Sequence, residues 1–232
     1  MTISQVKPVH SHVEEFASGA TTGFLHVPAE PRESGVVLTH GAGATCESPL
    51  LVTIASALAA AGFSVLRFDL SFRKRKKFGP PHPATAADDR RSLQEAAQAM
   101  RGVVSGAITL GGHSYGGRQA SMLMADEGSV SERLLLLSYP LHPPAKPAQV
   151  RTAHFPRLRT PCLFVHGAKD PFGTLEEMEA ALRLVPDDMA KLSVVEGAGH
   201  DLKRGKFDVE SLIVDWLRSH DAGNPPLSKA RS

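Results

Sequence analysis

The sequence predicts an α/β fold in which a mostly parallel central sheet carries helices on both faces. From about Val36 onward, short runs of apolar and β-branched residues alternate with segments of helical periodicity. Strands buried on both faces form parallel sheets, and parallel neighbours need a crossover between them. Turns such as Gly41-Ala42-Gly43 follow the strands directly, as ligand-binding loops do in open α/β sheets.

The predicted elements follow one another in a regular order. The first parallel strand is the apolar run 36–40, and the helix after it, 49–61, repeats its apolar residues at helical spacing before Gly62. The other predicted strands cover 63–70, 107–112, 133–138, 162–165 and 191–195, and the other helices cover 88–104, 119–126, 175–184 and 207–218.

The two ends of the chain have patterns of their own. The runs 13–17 and 24–27, joined through a turn at Thr21-Thr22-Gly23, predict an antiparallel hairpin at one edge of the sheet. The stretch 221–232 is rich in turn-forming residues and is predicted to be a disordered tail. A single domain is therefore expected over residues 1–220.

A proline-rich connection runs from Tyr139 to Pro161. It is too short to form a separate cap domain. We expect it to be an ordered loop over the carboxyl edge of the sheet, where open α/β sheets bind their ligands. A fold without a cap predicts an open, shallow site.

Composition and charge exclude several classes of protein. The net charge of +2 over 232 residues gives no reason to expect nucleic acid or a membrane as partner. Cys46 and Cys162 are too few for a disulfide framework and are expected to be reduced thiols. Residues 1–15 lack the apolar core of a signal peptide, and the longest apolar stretch, 50–66, is interrupted by Gly62. A cytoplasmic protein, monomeric or homodimeric, is expected.

The segment Gly112-His113-Ser114-Tyr115-Gly116 matches the pattern G-x-S-x-G. It lies between a predicted strand and a predicted helix, where a strained turn would lift the Ser114 hydroxyl out of the sheet. Glycines flank the turn because a Cβ at Gly112 or Gly116 would collide with neighbouring backbone. The alternative is that Ser114 only caps the helix. The context favours a nucleophile.

A serine nucleophile needs a base within reach and a group that orients the base. Where serine occupies such a turn, the chain order is serine, acid, histidine. Asp170 follows the strand 162–165, and His200 follows the strand 191–195. We therefore predict that Ser114, Asp170 and His200 meet at one edge of the sheet.

Other residues could take these roles. Asp170 could merely cap the loop before Pro171, and Asp69, at the end of an earlier strand, is the alternative acid. Asp201 is too close to His200 in sequence to orient its ring. Other histidines near strand ends are interpreted as packing or hydrogen-bonding groups: His40, His113 and His166.

Two backbone amides are expected to stabilise a tetrahedral oxyanion. Tyr115 N–H lies at the start of a helix directly after Ser114. The second donor is expected from the turn after the first parallel strand, with Ala42 favoured and Gly43 as the alternative. No histidine pair has metal-ligand spacing with a carboxylate or cysteine, so neither metal nor cofactor is expected.

The basic run Arg73-Lys74-Arg75-Lys76-Lys77 follows a strand that ends at Leu70. The simpler interpretation is a solvated loop. The alternative hypothesis is a positive rim at which Arg73, Lys74 and Arg75 attract anionic substrates, such as acyl-phosphopantetheine compounds or carboxylate-bearing esters.

Four segments, in order, carry a family resemblance: 37–43, 111–118, 139–144 and 166–173. Together they resemble the α/β-hydrolase family that includes bacterial dienelactone-hydrolase-like proteins, the hydrolase-like domain of an animal non-specific-lethal chromatin complex subunit, and its testis-expressed relatives. The resemblance spans roughly residues 36–216. It implies the α/β-hydrolase fold and a triad of Ser114, Asp170 and His200, and it implies that some relatives are scaffolds rather than catalysts.

The predicted function is hydrolysis of small-molecule carboxylic esters or thioesters through an acyl-enzyme on Ser114. The alternative from another class is a non-catalytic hydrolase-fold module that binds a protein or a small ligand, because a triad does not guarantee turnover. A third hypothesis is acyl transfer to an acceptor other than water.

Overall fold

The computed structural model describes residues 10–186, 189–203 and 208–221. The strands are β1 (His12–Ser18), β2 (Thr21–Val27), β3 (Gly35–Thr39), β4 (Ser64–Phe68), β5 (Ile108–His113), β6 (Arg133–Leu137), β7 (Cys162–Gly167) and β8 (Ala190–Val195). The helices are α1 (Pro49–Ala60), α2 (Ser71–Arg75), α3 (Ala86–Arg101), α4 (Tyr115–Asp126), α5 (Leu175–Leu182) and α6 (Val209–His220).

The eight strands form one sheet in the order β1-β2-β4-β3-β5-β6-β7-β8. The hairpin β1-β2 is antiparallel and joins the sheet through an antiparallel pairing of β2 with β4. Every other pair is parallel. The predicted fold class is confirmed: the sheet is mostly parallel, the hairpin lies at one edge, and the described part of the chain contains no cap domain.

Two separate apolar cores cover the two faces of the sheet. One core contains buried residues of α3, α4 and α5, such as Leu93, Leu123 and Met178. The other contains residues of α1 and α6, such as Ile54 and Ile213. The strands β3, β4, β6 and β7 contribute side chains to both cores, because successive residues of a strand point to opposite faces. The apolar strand runs of the sequence therefore reflect burial on both faces.

Several predicted boundaries were wrong. The hairpin turn lies at Gly19 and Ala20, and the predicted turn residues 21–23 belong to β2; Gly19 has the positive φ of +56° that such a tight turn favours. Helix α4 begins at Tyr115, four residues before the predicted start, because Gly116 and Gly117 adopt helical backbone despite their low propensity. The helix α2 lies where a loop was predicted.

The predicted tail begins one residue too early. Asp221 is buried and accepts hydrogen bonds from Ser34 Oγ at 2.6 Å and Arg133 Nη2 at 2.9 Å. These bonds tie the end of α6 to residues at the start of β3 and β6. The rest of the predicted tail, 222–232, lies outside the described residues, as does Phe207 at the predicted start of the last helix.

In the part of the chain that the structure describes, no helix combines the length and the apolar character that a membrane span requires.

Candidate active site

Ser114 lies on a tight turn between β5 and α4. Its backbone has φ +51° and ψ −114°, a conformation that costs a non-glycine residue roughly 1–3 kcal/mol. A Cβ at Gly112 would stand 2.6 Å from the Thr39 carbonyl oxygen, and one at Gly116 would stand 2.6 Å from the His40 carbonyl oxygen. The predicted need for glycine at both positions is confirmed, since the turn packs directly against the end of β3.

The three predicted triad residues are joined by hydrogen bonds in series. His200 Nε2 is 2.9 Å from Ser114 Oγ, and His200 Nδ1 is 2.8 Å from Asp170 Oδ2. The Asp170 side chain is completely buried, and its other oxygen accepts a bond from Phe172 N–H at 2.9 Å. An acceptor carboxylate at Nδ1 holds the proton on that nitrogen and leaves the Nε2 lone pair facing the serine hydroxyl.

Two other rings pack close to the His200 ring. The Phe172 ring centroid is 4.2 Å away, and the His113 centroid is 5.1 Å away. His113 Nε2 also lies 2.8 Å from the His200 carbonyl oxygen. Burial lowers the pKa of His113, so its neutral ring donates the Nε2 proton to that carbonyl. His113 therefore positions His200, which agrees with the hydrogen-bonding role interpreted from the sequence.

The alternative acids are occupied elsewhere. Asp69 Oδ1 accepts a bond from Cys46 N–H at 2.7 Å and lies 3.3 Å from His40 Nε2. Asp201 is exposed and bonds the Lys203 backbone. Asp170 is thus the acid that contacts the His200 ring.

Both predicted oxyanion donors line the cavity that contains Ser114. Ala42 lies in the turn after β3, and Tyr115 is the first residue of α4. Among the backbone hydrogen bonds of the described residues, neither amide donates to a carbonyl. Tyr115 N–H belongs to the first turn of a helix, where amides lack an intrahelical partner and favour negative charge.

The first residue of the basic run has a structural role. Arg73 is buried, and its guanidinium donates hydrogen bonds of 2.7–3.2 Å to five carbonyl oxygens, those of Ala42, Ala44, Lys76, Lys77 and Gly79. It thereby fixes the turn that contains Ala42.

The next two residues of the run, Lys74 and Arg75, also bond groups away from the cavity. Lys74 Nζ bonds the Ala20 carbonyl at 2.7 Å, and Arg75 forms an exposed ion pair with Asp88 at 2.9 Å. None of the three residues lines the cavity, and this placement corrects the hypothesis of a positive rim in the run.

The cavity beside Ser114 has a volume of about 640 Å³. One wall is the predicted loop after β6, which contributes Pro140 and Arg151. The segment 80–87, before and at the start of α3, also lines the cavity, and the sequence analysis did not identify it. The remaining lining residues are Ala42, Arg90, Ser114, Tyr115, Arg118, Gln119, Met122 and Phe172.

Comparisons with solved structures agree with this architecture. The protein TT1662 from Thermus thermophilus has a TM-score of 0.72 and 20% identity, covering 90% of this chain and 98% of that one. A dienelactone hydrolase from Anabaena variabilis has a TM-score of 0.69 and 17% identity, with 94% and 99% covered. XC6422 from Xanthomonas campestris, described as an α/β serine hydrolase without lid, has a TM-score of 0.61 and 16% identity, with 95% and 97% covered.

A family model also matches the chain. It is described as "Alpha/beta hydrolase domain", and it matches residues 32–218, from just before β3 into α6. The match contains the turn of Ser114 and the loops of Asp170 and His200. The chain therefore belongs to the alpha/beta hydrolase family.

Proposed function

We propose that the chain is a cofactor-independent serine hydrolase of small-molecule carboxylic esters or thioesters. The observation that carries the proposal is the series of hydrogen bonds from Ser114 Oγ through the His200 ring to the buried Asp170, on a turn with strained backbone at the serine. Strain of this kind persists where the surrounding structure maintains it, and it concentrates at functional sites.

In the proposed first half-reaction, Ser114 Oγ attacks the carbonyl carbon of the substrate while His200 Nε2 takes the hydroxyl proton. Asp170 holds the ring and stabilises the imidazolium. The amides of Tyr115 and Ala42 stabilise the tetrahedral oxyanion, each by about 3 kcal/mol. The imidazolium then protonates the departing alcohol or thiol, and the acyl group remains on Ser114.

In the second half-reaction, His200 takes a proton from water, whose oxygen attacks the acyl carbon. A second tetrahedral intermediate collapses, the Ser114 oxygen regains its proton, and the carboxylic acid leaves. The open cavity leaves room for water to approach the acyl group. The similar proteins described as dienelactone hydrolase and as serine hydrolase support the same reaction class.

The test is release of 4-nitrophenol from 4-nitrophenyl esters of increasing chain length, together with one thioester series. We expect turnover by the native chain and losses of about 10³-fold or more in kcat for Ser114→Ala and His200→Gln. Ser129→Ala, on an exposed turn, is the matched control and should keep full activity. Turnover that Ser114→Ala leaves intact would contradict the proposed nucleophile.

The chain also resembles the chromatin complex subunit and its testis-expressed relatives. That narrower resemblance implies that some relatives act as scaffolds. Under that alternative, a correctly folded native chain would hydrolyse none of the esters or thioesters. Product partitioning in the presence of added alcohols separates hydrolysis from acyl transfer. The proposed binding partners of the chain are its substrates, small-molecule esters or thioesters. We further propose that the chain acts in the cytoplasm as a monomer or homodimer.

A further inference from the structure

Three arginines line the cavity that contains Ser114. Arg90 comes from α3, Arg118 from α4, and Arg151 from the loop after β6. The lining residues include no aspartate or glutamate. The cavity therefore gathers positive charge from three distant parts of the chain and supplies no negative charge of its own.

Arg118 lies one helical turn after Ser114. Its backbone N–H bonds the Ser114 carbonyl at 3.0 Å, and Ser114, Arg118 and Met122 follow at the spacing that places residues on one face of a helix. The Nε of Arg118 is buried and has no hydrogen-bond partner among the described residues. A buried donor without a partner is costly, and a ligand that accepts its hydrogen bond would remove the cost.

Arg151 is affected by the charge of Arg118. Burial lowers the pKa of Arg151, and the positive charge of Arg118 lowers it further. Its guanidinium has one hydrogen bond to the residues that the structure describes, a long one of 3.4 Å to the Pro140 carbonyl. Within the described ranges, the arginine ion pairs involve other residues, so Arg90, Arg118 and Arg151 have no carboxylate within 4.0 Å.

Two carboxylates bonded to lining residues of the cavity, Asp89 and Asp170, already have other partners. Asp89 accepts hydrogen bonds from Tyr115 Oη at 2.8 Å and Phe72 N–H at 2.9 Å. Asp170 is held by His200 and by the Phe172 amide, as described above. Among the described residues, no carboxylate therefore pairs with Arg118 or Arg151, and their charges are available to an anionic ligand.

The rest of the lining is mainly apolar, with Met122, Phe172 and the prolines of the segment 80–87. An anionic group alone would leave this surface without contacts. A substrate with a short apolar chain between its reacting carbonyl and its anionic end would contact both the apolar and the charged parts of the cavity.

We propose that the cavity selects esters or thioesters that carry an anionic group on a short apolar chain, with Arg118 and Arg151 binding that group and Arg90 adding to the positive field. The inference rests on the proposed hydrolase function and names its substrate class. Guanidinium groups bind carboxylate and phosphate through the same paired donors, so both anions belong to this class.

The test compares two esters of one length, mono-4-nitrophenyl adipate, which carries a carboxylate, and its neutral methyl ester. The native chain should prefer the anionic ester. In Arg118→Met, kcat/KM for the anionic ester should fall about 10- to 100-fold, as expected for a lost charge-assisted hydrogen bond, with little change for the neutral ester. Arg118→Lys should retain part of the preference.

Arg91→Met is the matched control, because it removes the same charge from an exposed neighbour of Arg90 on α3. It should leave the preference unchanged. Equal turnover of both esters by the native chain would overturn the inference while the hydrolase proposal stands. An equal loss of preference in Arg91→Met and Arg118→Met would also overturn it, because the effect would then be one of net charge.

Binding to Ser114→Ala, measured by calorimetry with monomethyl adipate, dimethyl adipate and butyl phosphate, separates the two proposals. If Ser114→Ala binds either anion and the double variant with Arg118→Met does not, the anion site is supported even if no ester is hydrolysed. Which of the two anions binds distinguishes carboxylate from phosphate. Failure of both anions to bind would overturn the inference.

Discussion

Arg73 and Arg118 both lie near the candidate site, but their guanidinium groups differ in how many hydrogen bonds they make. Arg73 donates hydrogen bonds to five backbone carbonyls, and its guanidinium donors are therefore already used. Arg118 lines the cavity beside Ser114, and its buried Nε has no partner in the described part of the chain. The density of positive charge along the sequence therefore does not identify a cation that binds a ligand. The unused hydrogen-bonding capacity of the side chain does.

The largest expected difference between the two arginines is in stability. Arg73→Met leaves five carbonyls without their donor and should lower the free energy of unfolding by roughly 3–5 kcal/mol. Arg118→Met removes a charge that lacks a counter-ion and should change it by less than about 1 kcal/mol. Urea unfolding of both variants measures this. Equal destabilisation would contradict the division of roles.

The turn that contains Ala42 should also be affected by the first substitution. Because Arg73 fixes the Ala42 and Ala44 carbonyls, Arg73→Met should lower kcat for charged and neutral esters alike. Arg118→Met should instead affect the anionic ester alone. A selective effect of Arg73→Met on anionic esters would restore the rim hypothesis.

A smaller effect concerns His154, which lies against α4 with Nε2 2.8 Å from Ser121 Oγ. Burial first, and then the charge of Arg118, lowers the pKa of His154 to about 4 from the usual 6.5. The unfolded chain therefore binds more protons between these values. Stability should fall by about 2–3 kcal/mol as the pH decreases from 6.5 to 4, and His154→Gln should reduce this dependence.

This titration also reports on the charge of Arg118. In Arg118→Met, the pKa of His154 should rise, because one of its two largest causes of depression is removed. An NMR titration of the His154 ring protons measures this pKa in the native chain and in Arg118→Met. A native His154 that titrates near 6.5 would contradict the buried, cationic surroundings described above.

The elements that the sequence predicted best are those whose signal is local. The buried strands and the amphipathic helices were found within a few residues of their observed bounds, because the periodicity of burial is present in the sequence itself. The meeting of Ser114, Asp170 and His200 was also predictable, since parallel strands present their carboxyl ends at one edge.

What the sequence did not reveal depends on contacts between distant segments. The helix α2 is only five residues long, and its burial through Phe72 and Arg73 depends on packing against other parts of the chain. The start of α4 was missed because glycines oppose a helix locally, whereas here close packing of Gly116 against the end of β3 and of Gly117 against β5 requires them. The cavity arginines Arg90, Arg118 and Arg151 are far apart in sequence and form no local pattern.

The proposed hydrolysis depends on the activation of Ser114 as a nucleophile by His200 and Asp170. Intact-mass and peptide mass spectrometry after treatment with a fluorophosphonate tests it most directly, because the reagent forms a stable adduct with an activated serine. We expect one adduct, on Ser114, that is absent in Ser114→Ala and strongly slowed in His200→Gln. An unlabelled native chain, or labelling that persists in Ser114→Ala, would contradict the account.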